Sequence, residues 1–489
     1  MSGGLIQLVS VGFENLYLTA DPEITFFKMV YKRHTNFSQE PVTQLFSTTP
    51  DFGERVSCSL AKTADLISNI YLYIQLPELP KLFTDTFHKF KWCKKIGYAL
   101  INYIELEING QMVDKLYGDW LNIWSSLTSG FHTDTEDLLI GNVQSLTKSS
   151  NGKMSYNLYI PINFFFNKNK GLALPVIALH LSDLKIHVQF NDLKDILVQS
   201  PTHYINIEEY VCIFNDGDIL TQNVSGKDVN VIFNYFDYET RRLYYTKYYD
   251  AIQYYTNDSL ISKSKYKLYD KNFNYVIPSS NEVAYTFSYP NISINESNLL
   301  VNFIYLDNYE RKRFASSNHE YLITTLEYSG ERTIYNTHTK VKLGFVNPSK
   351  ELFWVAQLDK IKNGFIKEKF NYTSDINYSG SNLVLKSQIF QNGQIRSFEY
   401  DKYFYNYLKS YLYHKNQIEE GINLYSYSID PMDYQPKGSC NFSRIDDLVL
   451  ELTLSSLVTY DNPLLLRVYN YNYNVLRITN GLAGLTFIN

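Results

Sequence analysis

Nine histidines and four cysteines are the residues of this chain best suited to nucleophilic, acid–base or metal chemistry, and their spacing serves none of it. Cys58, Cys93, Cys212 and Cys440 form no short-spaced pair, so they offer neither zinc-ligand spacing nor a disulfide framework. This is the cysteine usage of a reducing compartment. His180 and His187 share no helix spacing and have no obvious carboxylate partner in the sequence. There is no G-x-S-x-G, no Gly-rich phosphate loop, no H-E-x-x-H and no C-x-x-C. Asp430, Asp433, Asp446 and Asp447 could converge on a divalent ion, but calcium takes six to eight oxygens from tightly alternating loops. The region lacks that alternation, and these carboxylates read as turn formers. No catalytic, cofactor-binding or metal-ligating residue is assigned, and the chain does not read as an enzyme.

Other residues suit contact better than chemistry. Gly3–Val11 is an apolar, glycine-flanked stretch in which Leu5, Ile6, Leu8 and Val9 are candidate arm contacts rather than the start of a core strand. Arg311, Lys312 and Arg313 form a basic run suited to an inter-domain linker or an acidic neighbour, against the plainer reading of a solvated face. Lys89–Lys95 (KFKWCKK) reads as a solvated loop with Trp92 tucked down. Asn-X-Ser/Thr acceptors occur at Asn36, Asn223, Asn257, Asn291, Asn295, Asn371, Asn377 and Asn441. Asn223, Asn257, Asn291 and Asn295 remain candidates for sugar attachment.

The elements that must hold these residues are strands. Hydrophobic residues make up 45% of the 489 and charged ones 19%, enough for a large core and too few charges for a disordered chain. The balance of 45 Lys+Arg against 50 Asp+Glu gives −5, with no basic excess for nucleic acid, and direct nucleic-acid binding is not expected. The first twenty-four residues hold no Lys or Arg and do not read as a secretory signal. No apolar stretch approaches the ~20 residues of a membrane span. The 44 tyrosines favour strands and half-buried surfaces where the hydroxyl stays wet. Ile70–Leu76, Tyr103–Ile108, Leu184–Phe190, Leu299–Leu306 and Leu448–Leu454 are short and partly alternating. Only Leu116–Ser126 and Tyr400–Tyr413 suggest helices.

An internal repeat organises these strands. IELEINGQM (Ile104–Met112) and VLKSQIFQNGQI (Val384–Ile395) each run a strand into Asn-Gly, a hairpin signal, with Gly110 and Gly393 separated by 283 residues. Strand ends Leu76 and Leu358 lie 282 apart, the Asn-Leu-Tyr triplets at Asn157 and Asn423 lie 266 apart, and strand ends Phe190 and Leu454 lie 264 apart. The second copy closes with Leu464–Ile478 soon after Leu454, whereas the first finds no closing strand before Leu299. Residues 191–298 therefore read as an insertion. It carries the Tyr-dense patch Tyr235–Tyr255, whose Tyr235, Tyr244, Tyr245, Tyr248, Tyr249, Tyr254 and Tyr255 are expected to be exposed. The competing reading makes Asn215–Asp228 a linker to a new domain.

Six blocks carry a family resemblance: Ser2–Thr19, Pro22–Phe37, Tyr159–Leu179, Phe303–Ile323, Gln435–Asp446 and Tyr473–Phe487. They resemble major capsid proteins of nucleocytoplasmic large DNA viruses. The resemblance implies an all-β chain of two consecutive eight-stranded jelly rolls (a double jelly roll) with short helices in loops. It implies residues 1–36 as an arm and lead-in, 37–307 as the first roll with its insertion, and 308–489 as linker and second roll. It further implies homotrimers forming pseudo-hexagonal capsomers, which meet neighbouring capsomers and minor capsid proteins under an icosahedral shell, with an internal membrane nearby. The protein would be made and assembled in host cytoplasm and reside in the virion. His34 and His319, inside these blocks, read as hydrogen-bonded structural residues, and Asn36 and Asn441 as structural too. A lower-copy capsid paralogue is the close alternative. A glycan-binding or glycan-cleaving double β-sandwich is the distant one, since that architecture also hosts lectins.

Overall fold

The computed structural model describes residues 3–82, 87–208, 214–224, 226–247, 266–285, 292–376, 378–414, 416 and 418–487. Eight strands build a first roll: β1 (Phe37–Gln44), β2 (Arg55–Ser59), β3 (Leu66–Leu76), β4 (Ile101–Ile108), β5 (Gln111–Tyr117), β6 (Tyr156–Pro161), β7 (Leu184–Phe190) and β8 (Glu296–Leu306). They lie in two antiparallel sheets, ordered β1-β8-β3-β6 and β2-β7-β4-β5. Eight more follow: β9 (His319–Ile334), β10 (His338–Leu343), β11 (Pro348–Leu358), β12 (Val384–Gln391), β13 (Gln394–Asp401), β14 (Ile422–Ser426), β15 (Leu448–Leu454) and β16 (Leu464–Thr479). Their sheets are β9-β16-β11-β14 and β10-β15-β12-β13, the first order with eight added to every label. Each roll is a jelly roll, two sheets of four main strands closed over one core, and in the second roll the short strands Cys440–Asn441 and Leu482–Leu485 add to β11 and β16.

Alternation decides which face of each strand enters that core. Ile70, Leu72, Ile74 and Leu76 of β3 are all fully buried, while Asn69, Tyr71, Tyr73 and Gln75 point the other way and keep some exposure. Both Asn-Gly pairs form the expected hairpins. Asn109 and Gly110 have φ of 53° and 78°, and Asn392 and Gly393 have 48° and 76°, the pair of positive values a type I′ turn requires. The Asn-Leu-Tyr triplets lie on equivalent strands but not at equivalent positions. Asn157 stands opposite Gln75, and Asn423 opposite Trp354 rather than Gln357. A three-residue offset reverses faces in a strand, so that match is a coincidence of composition.

Both expected helices are present, displaced slightly. Gly118–Thr128 is helical directly after β5. The second begins later than expected, because Tyr400 and Asp401 still belong to β13. A π-helical turn, Tyr403–Leu408, then leads into Lys409–Tyr413.

Between β7 and β8 stands a separate seven-stranded antiparallel sheet, its longer strands being His203–Asn206, Ile219–Val224, Lys227–Asp237 and Arg242–Lys247. It has its own core of Ile205, Leu220, Val231, Phe233, Leu243 and Tyr245. Asn215–Asp228 is thus largely strand and hairpin in this sheet, not an open linker. The expected exposure of its tyrosines needs correction. Tyr245 is fully buried, its hydroxyl donating to Glu282 at 2.7 Å, and Tyr244 is 7% exposed. Both lie in a central strand with neighbours on either side, which the Tyr-rich composition concealed. Tyr235 keeps 36% exposure and stacks on Phe87 at 4.6 Å. Tyr248, Tyr249, Tyr254 and Tyr255 lie outside the described residues.

Gly393→Ala should cost about 1–2 kcal/mol, because a Cβ disfavours left-handed backbone, while Gly393→Asn should cost less. Urea midpoints of the two variants check the order.

Candidate functional site at the junction of the rolls

The strands β11 and β16 of the sheet β9-β16-β11-β14 are buried on both faces. Leu352, Trp354, Ala356 and Leu358 of β11, with Leu464, Leu466 and Val468 of β16, fill the second roll's own core. The alternate residues Phe353 and Val355, with Tyr469 and Tyr471, join the core of the first roll. A strand buried on both faces tends to an uninterrupted apolar run, which β11 shows over Leu352–Ala356.

The helix Gly118–Thr128 covers this second face. Trp120 packs on Phe353, Tyr469 and Tyr471 at 5.3, 5.8 and 5.9 Å between ring centres, and Trp124 on Tyr471 at 5.2 Å. Its start demands glycine, since a Cβ at Gly118 would sit 2.4 Å from the carbonyl oxygens of Tyr98 and Ile101.

Beside the rings lies a cavity of about 350 Å³ lined by Asp119, Arg467, Glu331, Lys362, Lys369 and Tyr328, among others. Arg467 projects from β16 and is 2% exposed. It donates from Nη1 to Asp119 and from Nη2 to the Gln357 side chain at 2.7 Å, with Glu331 at 3.8 Å. Lys362 pairs with Glu331. The opposite charges around Arg467, led by Asp119, overcome its burial and hold it protonated. Tyr469 and Tyr372 aim their hydroxyls at Asp119 from 3.4 and 3.5 Å. This arrangement fixes one roll on the other. Among the described residues no group of three His, Cys, Asp or Glu side chains gathers to hold a metal.

Two further polar pairs lie near the junction. Glu351 and His414, both fully buried, meet at 3.0 Å. Asp114 accepts from the Leu326 and Lys115 amides, and burial raises its carboxyl to about 6 against the attraction of Lys168. Burial likewise lowers the Lys168 ammonium, which lies 4.2 Å over Trp124 and 4.6 Å over Tyr471, to about 7.

The run Lys89–Lys95 is not a solvated loop. Lys89–Trp92 is a strand with Phe90 and Trp92 buried; Lys89 pairs with Asp216 of the insertion, while Lys91 and Lys95 reach the second roll. Lys91 lies 3.6 Å from Glu368, and Lys95 binds Glu419 and, at 2.6 Å, Asn122. Alternation sent the aromatics inward and left the cations free to bridge. His187 does have a carboxylate partner, contrary to the sequence reading: Nε2 meets Glu107 at 3.0 Å and Nδ1 meets Ser57 at 2.7 Å. The three sit on neighbouring strands β2, β7 and β4, a polar ladder across a sheet face.

The remaining predicted residues are dispersed. Leu5, Ile6, Leu8 and Val9 lie on a short helix, Gly3–Val9, and are all exposed. Arg311, on the helix Asn308–Ser316, pairs at 3.0 Å with the buried Asp65, which also accepts from the Leu306 amide. Lys312 and Arg313 are exposed. His319 bonds to the Phe314 carbonyl at 2.7 Å. Asp430 and Asp433 both hold Lys437, at 2.9 and 2.7 Å. Asn441 caps the short helix Phe442–Arg444 by accepting from the Ser443 amide. Asn223 and Asn295 are exposed, whereas Asn257 and Asn291 lie outside the described residues.

Comparison with known proteins fits this architecture. The model for the major capsid protein N-terminus matches residues 25–238, and that for the large eukaryotic DNA virus major capsid protein matches residues 310–484. The chain is 38% identical to probable capsid protein 4 of Acanthamoeba polyphaga mimivirus, over 100% of this chain and 99% of that one.

This chain belongs to the major capsid proteins of large eukaryotic DNA viruses.

The major capsid protein of Pyramimonas orientalis virus is 31% identical over the whole of both chains. Two solved structures share the fold: the Faustovirus major capsid protein (TM-score 0.68, 13% identity, 96% of this chain and 94% of that one) and the Paramecium bursaria Chlorella virus 1 capsid (TM-score 0.63, 23% identity, 95% and 100%). The relatives are named as structural capsid proteins, and no catalytic activity is indicated for the family member described here. Among the described residues no helix is long and apolar enough to cross a membrane.

Arg467→Ala should destabilise this capsid protein by about 3–5 kcal/mol, because Asp119 is left with an uncompensated charge. Arg467→Met with Asp119→Leu should cost clearly less than the two single changes added together, a double-mutant cycle readable from denaturant midpoints. Lys168 supplies a pH test. Its folded value lies below the ordinary 10.5, so between about 7 and 10.5 the unfolded chain holds a proton the folded one has released. Its contribution to stability therefore rises with pH across that window. Lys168→Met should flatten the rise, as denaturation at pH 7 and pH 9 would show.

Proposed function

We propose that three copies of this chain assemble into a pseudo-hexagonal capsomer that tiles an icosahedral shell. The observation that carries this reading is the duplicated roll: two near-equivalent bodies per chain make six around a three-fold axis. On this reading residues 1–36 are an arm, 37–307 the first roll with its inserted sheet, and 308–489 the linker helix and second roll. The ion pair between Arg311 and Asp65 supports the linker role by fastening that helix to the first roll.

The arm suits contacts outside its own chain. No described residue from 3 to 36 is buried, although Leu8, Val9, Phe13, Phe26, Phe27 and Met29 are each at least 75% exposed. Apolar surface of that extent marks an interaction segment. Its occupants would be neighbouring capsomers or minor capsid proteins beneath the shell, with an internal membrane nearby. The inserted sheet would face outward, carrying Asn223 as an accessible sugar acceptor. Assembly would take place in the host cytoplasm. Relatives named major capsid protein support the abundant role, the 38% identical probable capsid protein 4 leaves the lower-copy paralogue as the second reading, and the relatives named here give the glycan-binding alternative no support.

Native mass measurement and electron microscopy of the purified protein test the proposal. The expected result is a species of three times 57.1 kDa with a hexagonal outline. A protein that stays monomeric at micromolar concentration and binds glycans would overturn it.

A further inference from the structure

The two rolls are built alike, yet only one of two equivalent contacts is made within the chain. The helix after β5 presents Trp120 and Trp124, 5.9 Å apart, to the outer face of the second roll's sheet. The segment after β13 is its counterpart. With Gly110 matched to Gly393, Trp120 corresponds to Tyr403, Trp124 to Tyr407 and Asp119 to Lys402. Tyr403 and Tyr407 also form a ring pair, at 5.7 Å, but among the described residues Tyr403 stays largely uncovered. Tyr403 is 61% exposed, Leu408 44%, Tyr411 84% and Leu412 56%.

The receiving face has a counterpart too. With Leu76 matched to Leu358, Phe353 corresponds to Tyr71, Val355 to Tyr73 and Gln357 to Gln75. Strand register then places Leu300 where Tyr469 stands, and Asn298 where Arg467 stands. This face of the first roll is uncovered as well, with Tyr71 37% and the adjacent Tyr159 39% exposed. The inserting segment carries Lys402 in place of Asp119, held at 3.2 Å by Glu420 of its own chain, which also accepts from the Tyr407 hydroxyl. The receiving face has Asn298, which donates at 2.7 Å to the exposed Glu296 and keeps its own Oδ1 without a hydrogen-bond partner.

We propose that Lys402–Tyr413 of one copy docks on the β8-β3-β6 face of the next copy's first roll, with Tyr403 against Tyr71, repeating between chains the contact that Gly118–Thr128 makes within one. Such a contact is heterologous, and alternating with the internal one it closes a ring when three chains supply six rolls. The inference rests on the trimer reading and specifies the surfaces that would join it.

The test is site-directed cross-linking of the full-length protein with a short bismaleimide, beside native mass measurement. Tyr71→Cys and Tyr403→Cys are made singly and together in a Cys212→Ser, Cys440→Ser background; both positions lie at the surface, and the remaining Cys58 and Cys93 are buried. The expected result is a covalent trimer from the double variant, covalent dimer when the two single variants are co-expressed, and monomer from each single variant alone. A wild-type trimer whose double variant yields no more cross-linked product than the single variants overturns this docking while leaving trimerisation intact. A wild-type chain that is monomeric overturns both.

Discussion

The burial of both faces of one sheet is the constraint on which the rest of this protein depends. The strands β11 and β16 expose almost no side chain along their shared length, and their two faces belong to different cores. Fully burying a large apolar side chain contributes about 1.5–3 kcal/mol. Phe353, Val355 and the rings of Trp120, Tyr469 and Tyr471 together therefore approach the ~5–15 kcal/mol of net stability typical of a folded domain. The second roll would lose that contribution if the first were pulled away. Arg467 and Asp119 do not supply this energy, since desolvation offsets much of a buried ion pair. They specify instead how the helix sits, because any slide would strand a charge among aromatic rings.

Duplication gave the chain two copies of one topology, and the surfaces then diverged according to what each copy must cover. The second roll's outer face became aromatic and closed, with Arg467 at its centre. The first roll's equivalent face kept Asn69, Tyr71, Tyr73 and Gln75, half wet and uncovered. The inserted sheet is the other divergence. It leaves the first roll between its last two strands, which disturbs neither, because β7 and β8 lie in different sheets. A segment added there can carry its own small core, as it does around Phe233 and Tyr245.

Much of this was legible from residues alone because it is local. Alternation marked β3, β4, β7 and β15; Asn109-Gly110 and Asn392-Gly393 fixed two hairpins, since few other pairs accept positive φ at both positions; the missing closing strand located the insertion. Errors came where local pattern was asked to report contacts. Tyr244 and Tyr245 looked like a wet surface because tyrosine suits both a solvated face and a buried strand with a hydroxyl partner. Lys89–Lys95 looked like a solvated run because nothing in it names Glu368 or Glu419, some three hundred residues away. The Asn-Leu-Tyr match failed by three positions because composition repeats more easily than register.

The sequence by itself therefore determined the strand content, the duplication and its interruption, and the family, all of which depend on neighbours within a dozen residues or on long matched blocks. Only the tertiary structure decided which face of each repeat is closed. It alone brought Arg467 to Asp119 across 348 positions, and Glu351 to His414 across 63. A buried charge is tolerated only where a partner meets it, and the chain does not state its partner in the residues beside it. That meeting is a property of the folded topology.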